Sequence, residues 1–196
     1  MTDKPDSAIA CLGWGSLVWD PRDLPVRGRW QSDGPLLPLE FARESGAKAK
    51  SERGDRITLV ICADSPRVRS YWTLLDVPDL ESARLRLAKR EGMKGLKAVG
   101  FWDRSGNGGC GQEAATIAAW AVAHDFYGVV WTDLSCKFDG EEVKPTIEEV
   151  LAFLSGLDDE KKALAEGYVR QAPAQIDTPY RRLLAERLGW HCRATF

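Results

Sequence analysis

The chain has 196 residues, of which 44% are hydrophobic and 29% charged, and its formal net charge is -2. That balance belongs to a globular chain able to bury a sizeable core, and without a block of like charge it excludes a nucleic-acid footprint. No run approaches the roughly 20 apolar residues of a membrane span, and the acid-bearing start "MTDKPDSAIACLGWGS" has too short an apolar stretch for a signal peptide.

Ile9–Leu12 reads as a first strand ending at Gly13, followed by the small-residue turn of "GWGSLVW". "DPRDLPVRGRW", with Pro21 and Pro25, reads as a loop. "LLPLEFARES" reads as a strand whose alternation puts Leu39, Phe41, Arg43 and Ser45 on one face. "GAKAKSERGD" is a polar loop. "RITLVICA" is strongly β-branched and reads as a central strand buried on both faces, and "VRSYWTLLDV" as another strand.

Residues 78–92, "PDLESARLRLAKREG", predict a helix capped by Asp79 and ended by Gly92. "LKAVGFWD" is a strand, "RSGNGGCGQ" a flexible loop, "EAATIAAWAVAHDF" an alanine-rich helix and "YGVVWTDL" a strand, so a βαβ unit is expected here. The C-terminal third is helical. "PTIEEVLAFLSG" has the capping box Thr146–Glu149, "DEKKALAEGYVRQ" follows, and "TPYRRLLAERLG" carries Thr178 as cap, Pro179 at the first position and Gly189 past the end. The expected organisation is a single domain over 1–196, with a core over about 8–135 and a helical extension over 145–190. The segment "KFDGEEVKP" stands between the two.

Five widely spaced cysteines (Cys11, Cys62, Cys110, Cys136, Cys192) without a C-x-x-C pattern argue for reduced thiols in a cytoplasmic compartment, and against a disulfide framework or a zinc site. Eight tryptophans against six phenylalanines are expected to fill a small core or line a site. "GNGGCG" (106–111) satisfies G-x-G-x-x-G, but Asp103, Arg104 and Ser105 separate it from its strand, which favours a plain loop over a dinucleotide fingerprint. His124 reads as structural, and His191 beside Cys192 makes a poor metal pair. Tyr180, Arg181 and Arg182 read as a solvated or docking surface.

Two features point to chemistry. On the helix 78–92 the stripe Leu80, Ala83, Leu87 extends by one turn to Glu91, with Arg84 close by. A carboxylate ending a buried stripe is costly unless paired or needed, and burial would move it towards proton exchange; the competing expectation is a solvated residue on a frayed last turn. The turn Gly13, Trp14, Gly15, Ser16 and Leu17 brings backbone amides near glycines, a hydroxyl and, with Trp19, indole walls, the means to hold an oxyanion or a carboxylate. A tight turn that merely needs glycine reads the same way.

The order "strand–GWGSL … LEFARES … DRITLVI … VRSYWTLLDV … helix–REGM" resembles the gamma-glutamylcyclotransferase-like superfamily over residues 8–95. Its members carry a Y-G-S-N/L loop after the first strand and a helix ending in E-G. Trp14-Gly15-Ser16-Leu17 matches the loop, with Trp14 where the motif has Tyr, and Glu91-Gly92 matches the acid. The tyrosine often found shortly after that acid is missing from "MKGLKAV".

The resemblance implies an α+β fold with a mixed, partly closed sheet and packed helices. It also implies cyclisation of a γ-glutamyl group to 5-oxoproline with release of an amine or amino acid. Glu91 would be the general acid/base, the loop residues would bind the substrate, and no cofactor or metal is needed. The expected partner is a small γ-glutamyl compound, with no nucleic acid and no membrane. Arg43 is added from its strand face as a holder of the substrate α-carboxylate, with Ser45 as a weaker companion; a rim ion pair is the other expectation for Arg43. Two further readings stand beside this one: a small-metabolite binding protein of the same fold without turnover, and a redox-sensitive interaction module using Cys110.

Overall fold

A computed structural model describes residues 8–46, 52–106 and 108–193. In chain order the elements are β1 (Ile9–Gly13), α1 (Ser16–Trp19), β2 (Val26–Gln31), β3 (Leu36–Ser45), β4 (Arg56–Ile61), β5 (Arg67–Arg69) and β6 (Tyr71–Leu75), then α2 (Leu80–Arg90), β7 (Val99–Asp103), β8 (Gly108–Cys110), α3 (Ala114–Ala123) and β9 (Gly128–Thr132), and finally α4 (Ile147–Ser155), α5 (Asp159–Gln171) and α6 (Pro179–Leu188). The class is α+β, as expected. No described helix is long and apolar enough to cross a membrane.

The chain divides into two compact units, each built from separated segments. The first comprises Met1–Gly13, Asp20–Leu37 and Arg69–Leu134; the second Trp14–Trp19, Pro38–Val68 and Ser135–Phe196. The division does not fall at 137–145. That segment belongs with β4 and most of β3 in the second unit, where Lys137 N–H donates to the Ala42 carbonyl at 3.0 Å.

The first unit holds a six-stranded mixed sheet in the order β2-β6-β1-β9-β7-β8. β1 is antiparallel to β6 and parallel to β9. Every residue of β1 is buried, as are the first four of β9, so these central strands carry continuous apolar runs. The aromatic rings of Trp72, Trp120, His124 and Phe126 pack together with centroids 4.8–6.4 Å apart. Both indole N–H groups reach Asp33, Trp72 to its carboxylate at 2.7 Å and Trp120 to its carbonyl at 3.3 Å. His124 Nδ1 lies 2.9 Å from the Trp120 carbonyl, the structural place expected for it.

Four readings change. The supposed loop "DPRDLPVRGRW" contains most of β2, because its last residues add to the edge of β6. The supposed flexible loop contains β8, which forms a hairpin with β7; Asn107 lies outside the described residues. The expected βαβ unit is absent in that form. The β8 hairpin reverses the chain before α3, so β7 and β9 pair antiparallel. "VRSYWTLLDV" is two strands that serve different sheets, β5 beside β3 and β6 between β2 and β1, with the buried Ser70 between them donating its N–H to the Pro35 carbonyl at 3.1 Å.

In the second unit a three-stranded sheet runs β4-β3-β5. β4 is therefore an edge strand of this sheet rather than a central one. Its apolar run is explained by cover, since α4 and α5 both pack on it. Of the polar loop 46–55, residues 47–51 lie outside the described residues. The three C-terminal helices start where their caps predict: Thr146 and Glu149 form a reciprocal capping box, and the Asp158 and Thr178 side chains accept from Lys161 and Arg181 backbone amides.

Arg181, expected on a solvated face, is 5% exposed. Its guanidinium bonds the carbonyls of Ala172, Pro173 and Ile176, satisfying the chain that leaves α5. Arg182 does stay at the surface, paired with Asp177 at 2.7 Å.

Candidate active site

In the first unit, Glu91 is the C-cap of α2. The helix buries Ala83, Leu87 and Ala88, and its last turn is closed by two bonds, Gly92 N–H to the Lys89 carbonyl at 3.0 Å and Met93 N–H to the Ala88 carbonyl at 2.9 Å. That is a Schellman cap, and it needs a left-handed residue at Gly92, where φ is 67°. The last turn is thus ordered, and the frayed-end reading of Glu91 does not hold.

The carboxylate is neither unpaired nor fully solvated. Arg90 Nη1 donates to Glu91 Oε1 at 2.7 Å, with the Arg90 side chain 3% exposed and that of Glu91 18%. Arg90 Nη2 also donates to the Asp20 carbonyl at 2.5 Å, which fixes the guanidinium. Glu91 lies near enough to Cys11 of β1 for its charge to join burial in pushing that thiol up, while Arg90 opposes it. Two residues after Cys11, β1 ends at Gly13, whose partner on β6 is Tyr71. Arg84, the other charge near the stripe, pairs with Glu81 at 3.0 Å and lies over the Phe101 ring at 4.3 Å.

In the second unit, the turn after β1 is closely packed. Trp14 and Leu17 are buried, and the Trp14 indole N–H donates to the Leu59 carbonyl at 3.3 Å. Val18 N–H donates to the Gly15 carbonyl at 3.0 Å, and Ser16 opens the single turn α1. A Cβ added at Gly15 would stand 2.6 Å from the hydroxyl of Tyr168 of α5, so one of the two would have to shift. Tyr168 accepts the Leu59 N–H at 3.3 Å and packs edge-on against Trp19 and Phe41, with centroids 5.4 and 6.3 Å away. Sequence reading missed Tyr168. No local signal marks it, because its partners lie over a hundred residues earlier in the chain.

Arg43 and Ser45 do not share the Phe41 face. A register shift between Phe41 and Arg43 puts Phe41 opposite Leu59 but Arg43 opposite Thr58, so the alternation inverts. Ser45 Oγ lies 3.0 Å from Thr58 Oγ1 on that other face. The half-buried Arg43 guanidinium donates to the Ser135 carbonyl at 2.8 Å, and burial lowers its pKa.

The G-x-G-x-x-G segment lies ahead of α3, and just before that helix the Asp133 carboxylate accepts the Gln112 N–H at 2.9 Å. Cys110 is exposed on β8. Among the described residues no group of three His, Cys, Asp or Glu side chains is placed to hold a metal. No family model, no curated protein and no solved structure matches this chain.

Proposed function

We propose that the chain is a γ-glutamylcyclotransferase-like enzyme of the corresponding fold, in which the free α-amine of a γ-glutamyl group attacks its own γ-carbonyl. The products are 5-oxoproline and the released amine or amino acid. Glu91 takes the proton from the attacking ammonium and returns one to the leaving nitrogen. The chemistry calls on no cofactor.

The observation that carries this reading is the ordered end of α2. A carboxylate meant to move protons needs a fixed position and limited water, and Glu91 has the Schellman cap for the first and an 18% exposed side chain for the second. Arg90 engages Oε1 and so orients Oε2. We also place the protein in the cytoplasm, supported by five cysteines that are all free thiols. The partner is a small γ-glutamyl compound.

A second reading draws on the same ion pair. A carboxylate tied to a buried arginine also suits a binding protein that holds a small metabolite without turning it over. Release of 5-oxoproline from a panel of γ-glutamyl amines and γ-glutamyl amino acids decides between them. Turnover that Glu91→Gln abolishes supports the enzyme. Binding of the same compounds by calorimetry without any 5-oxoproline sinks it in favour of the binding protein.

A further inference from the structure

We propose that Cys62 and Cys136 form a redox-active dithiol that a hydroperoxide converts to an intramolecular disulfide.

The two sulfurs are brought together by backbone that the second unit holds on both sides. Cys62 directly follows β4, and its N–H donates to the Pro38 carbonyl at 2.7 Å. Residues 135–137 run beside β3: Lys137 bridges Arg43 in parallel, and Glu44 N–H donates to the Lys137 carbonyl at 2.7 Å. The Cys136 sulfur reaches to 4.0 Å from the carbonyl of Ile61, the residue before Cys62, which brings the two thiols within each other's electrostatic reach. Both are free thiols. Cys11 sits in the other unit, and Cys110 and Cys192 are exposed.

The surroundings make the pair unequal. Cys136 donates to the Cys62 sulfur, Ser65 adds a second hydrogen bond, and the Lys144 ammonium acts on it too, so the Cys62 thiol is held well below the usual thiol range; burial and Asp64 oppose this. Lys144 is fixed there by Ser65 Oγ at 3.1 Å and the Asp64 carbonyl at 3.4 Å. Cys136, which keeps the shared proton, is pushed up. Tyr180 faces the same cluster; burial first, then Glu40, Cys62, Glu148 and Cys136, push its phenol up to about 12, so it stays protonated. Cys62 is therefore the attacking sulfur and Cys136 the resolving one. Cys62 is 3% exposed and Cys136 half-buried, so the oxidant proposed is a small one, hydrogen peroxide.

The step balances as follows. The Cys62 thiolate attacks one peroxide oxygen, the O–O bond breaks, and hydroxide leaves to take a proton from solvent. Cys62 is now a sulfenic acid. Cys136 loses its proton and attacks the Cys62 sulfur; the S–S bond forms, the S–O bond breaks, and a second water leaves. Two thiols are oxidised by two electrons, and one peroxide is reduced to two waters.

The test uses the full chain with Cys110→Ser and Cys192→Ser to remove the exposed thiols. After brief treatment with hydrogen peroxide, the protein should lose two hydrogens in its mass. The peptides carrying Cys62 and Cys136 should be cross-linked, and dithiothreitol should reverse this. With Cys136→Ser added, dimedone should tag Cys62 as a sulfenic acid. Full alkylation of both cysteines after peroxide and unfolding would overturn the proposal, as would Cys62 running to sulfinic acid with no cross-link. Should a variant fail to fold, mapping the same cross-link in the unsubstituted chain decides the matter: its presence supports the dithiol and its absence overturns it.

Discussion

Arg90 and Glu91 are adjacent in sequence, and their side chains close on each other at 2.7 Å while the arginine is almost wholly buried. Adjacent residues on a regular helix point about 100° apart. Here the two long side chains nevertheless meet at the end of α2, where Arg90 is the last helical residue and Glu91 the C-cap.

For Glu91→Gln we expect turnover to fall about 10²–10⁴-fold, the usual worth of general acid–base catalysis. An unpaired carboxylate at the end of a buried stripe would make the same substitution stabilising. The ion pair reverses that sign: the variant leaves Arg90 facing a neutral amide, at a cost of about 1–3 kcal/mol. The check is 5-oxoproline release alongside a denaturation curve. Unchanged turnover would reduce Glu91 to a helix-end residue; should Glu91→Gln not fold, Glu91→Asp takes its place.

Gly92→Ala should cost about 1–2 kcal/mol, because alanine resists a left-handed backbone. Nothing lies within 4 Å of an added Cβ, so the cost is conformational alone. Gly92→Asn should cost less, since asparagine tolerates this conformation. Equal melting behaviour for the two variants would contradict the cap. Turnover should track the same order if the cap is what fixes Glu91.

At Gly15 the obstacle is a side chain rather than a backbone angle. Gly15→Ala should destabilise by about 1–3 kcal/mol through overpacking against the Tyr168 hydroxyl. Tyr168→Phe alone should cost about 1 kcal/mol, as the Leu59 N–H loses its acceptor. Together the two should cost less than their sum, since phenylalanine removes the clashing oxygen. Strict additivity in a double-mutant cycle would refute the contact.

Glu40 offers a pH test. It is fully buried, with Phe41 N–H donating to it at 2.8 Å and the Thr178 hydroxyl at 2.5 Å. Burial raises its pKa against the lowering pull of the Thr178, Phe41 and Tyr180 hydrogen bonds and of Lys144. A folded-state pKa above the unfolded one means that the native state binds the proton more tightly. The contribution is complete below the ordinary carboxylate range and is lost as pH rises through the folded value. The stability of the wild type minus that of Glu40→Gln should therefore fall as pH rises above the ordinary carboxylate range. A difference that is flat or that grows would show the hydrogen bonds, not burial, to be in control.

Helix ends were legible in the sequence because their causes are local. Asp79, Thr146 with Glu149, Thr178 with Pro179, and Gly92 each act on amides or carbonyls within four residues, so spacing alone locates them. β1, β3, β7 and β9 were legible from their apolar runs. What only the tertiary structure decided depends on partners far along the chain. β2 and β8 exist because an edge was available to pair with, and the inverted face of Arg43 follows from a register shift against β4. Arg181 is buried because the carbonyls leaving α5 need donors, and Tyr168 meets Gly15 because α5 packs on β4. Glu91 and the glycine turn could be picked out from residue types and order, whereas the burial that fixes the Arg90 guanidinium on the Asp20 carbonyl and the approach of Tyr168 to Gly15 come from packing between distant segments, which no window of neighbouring residues encodes.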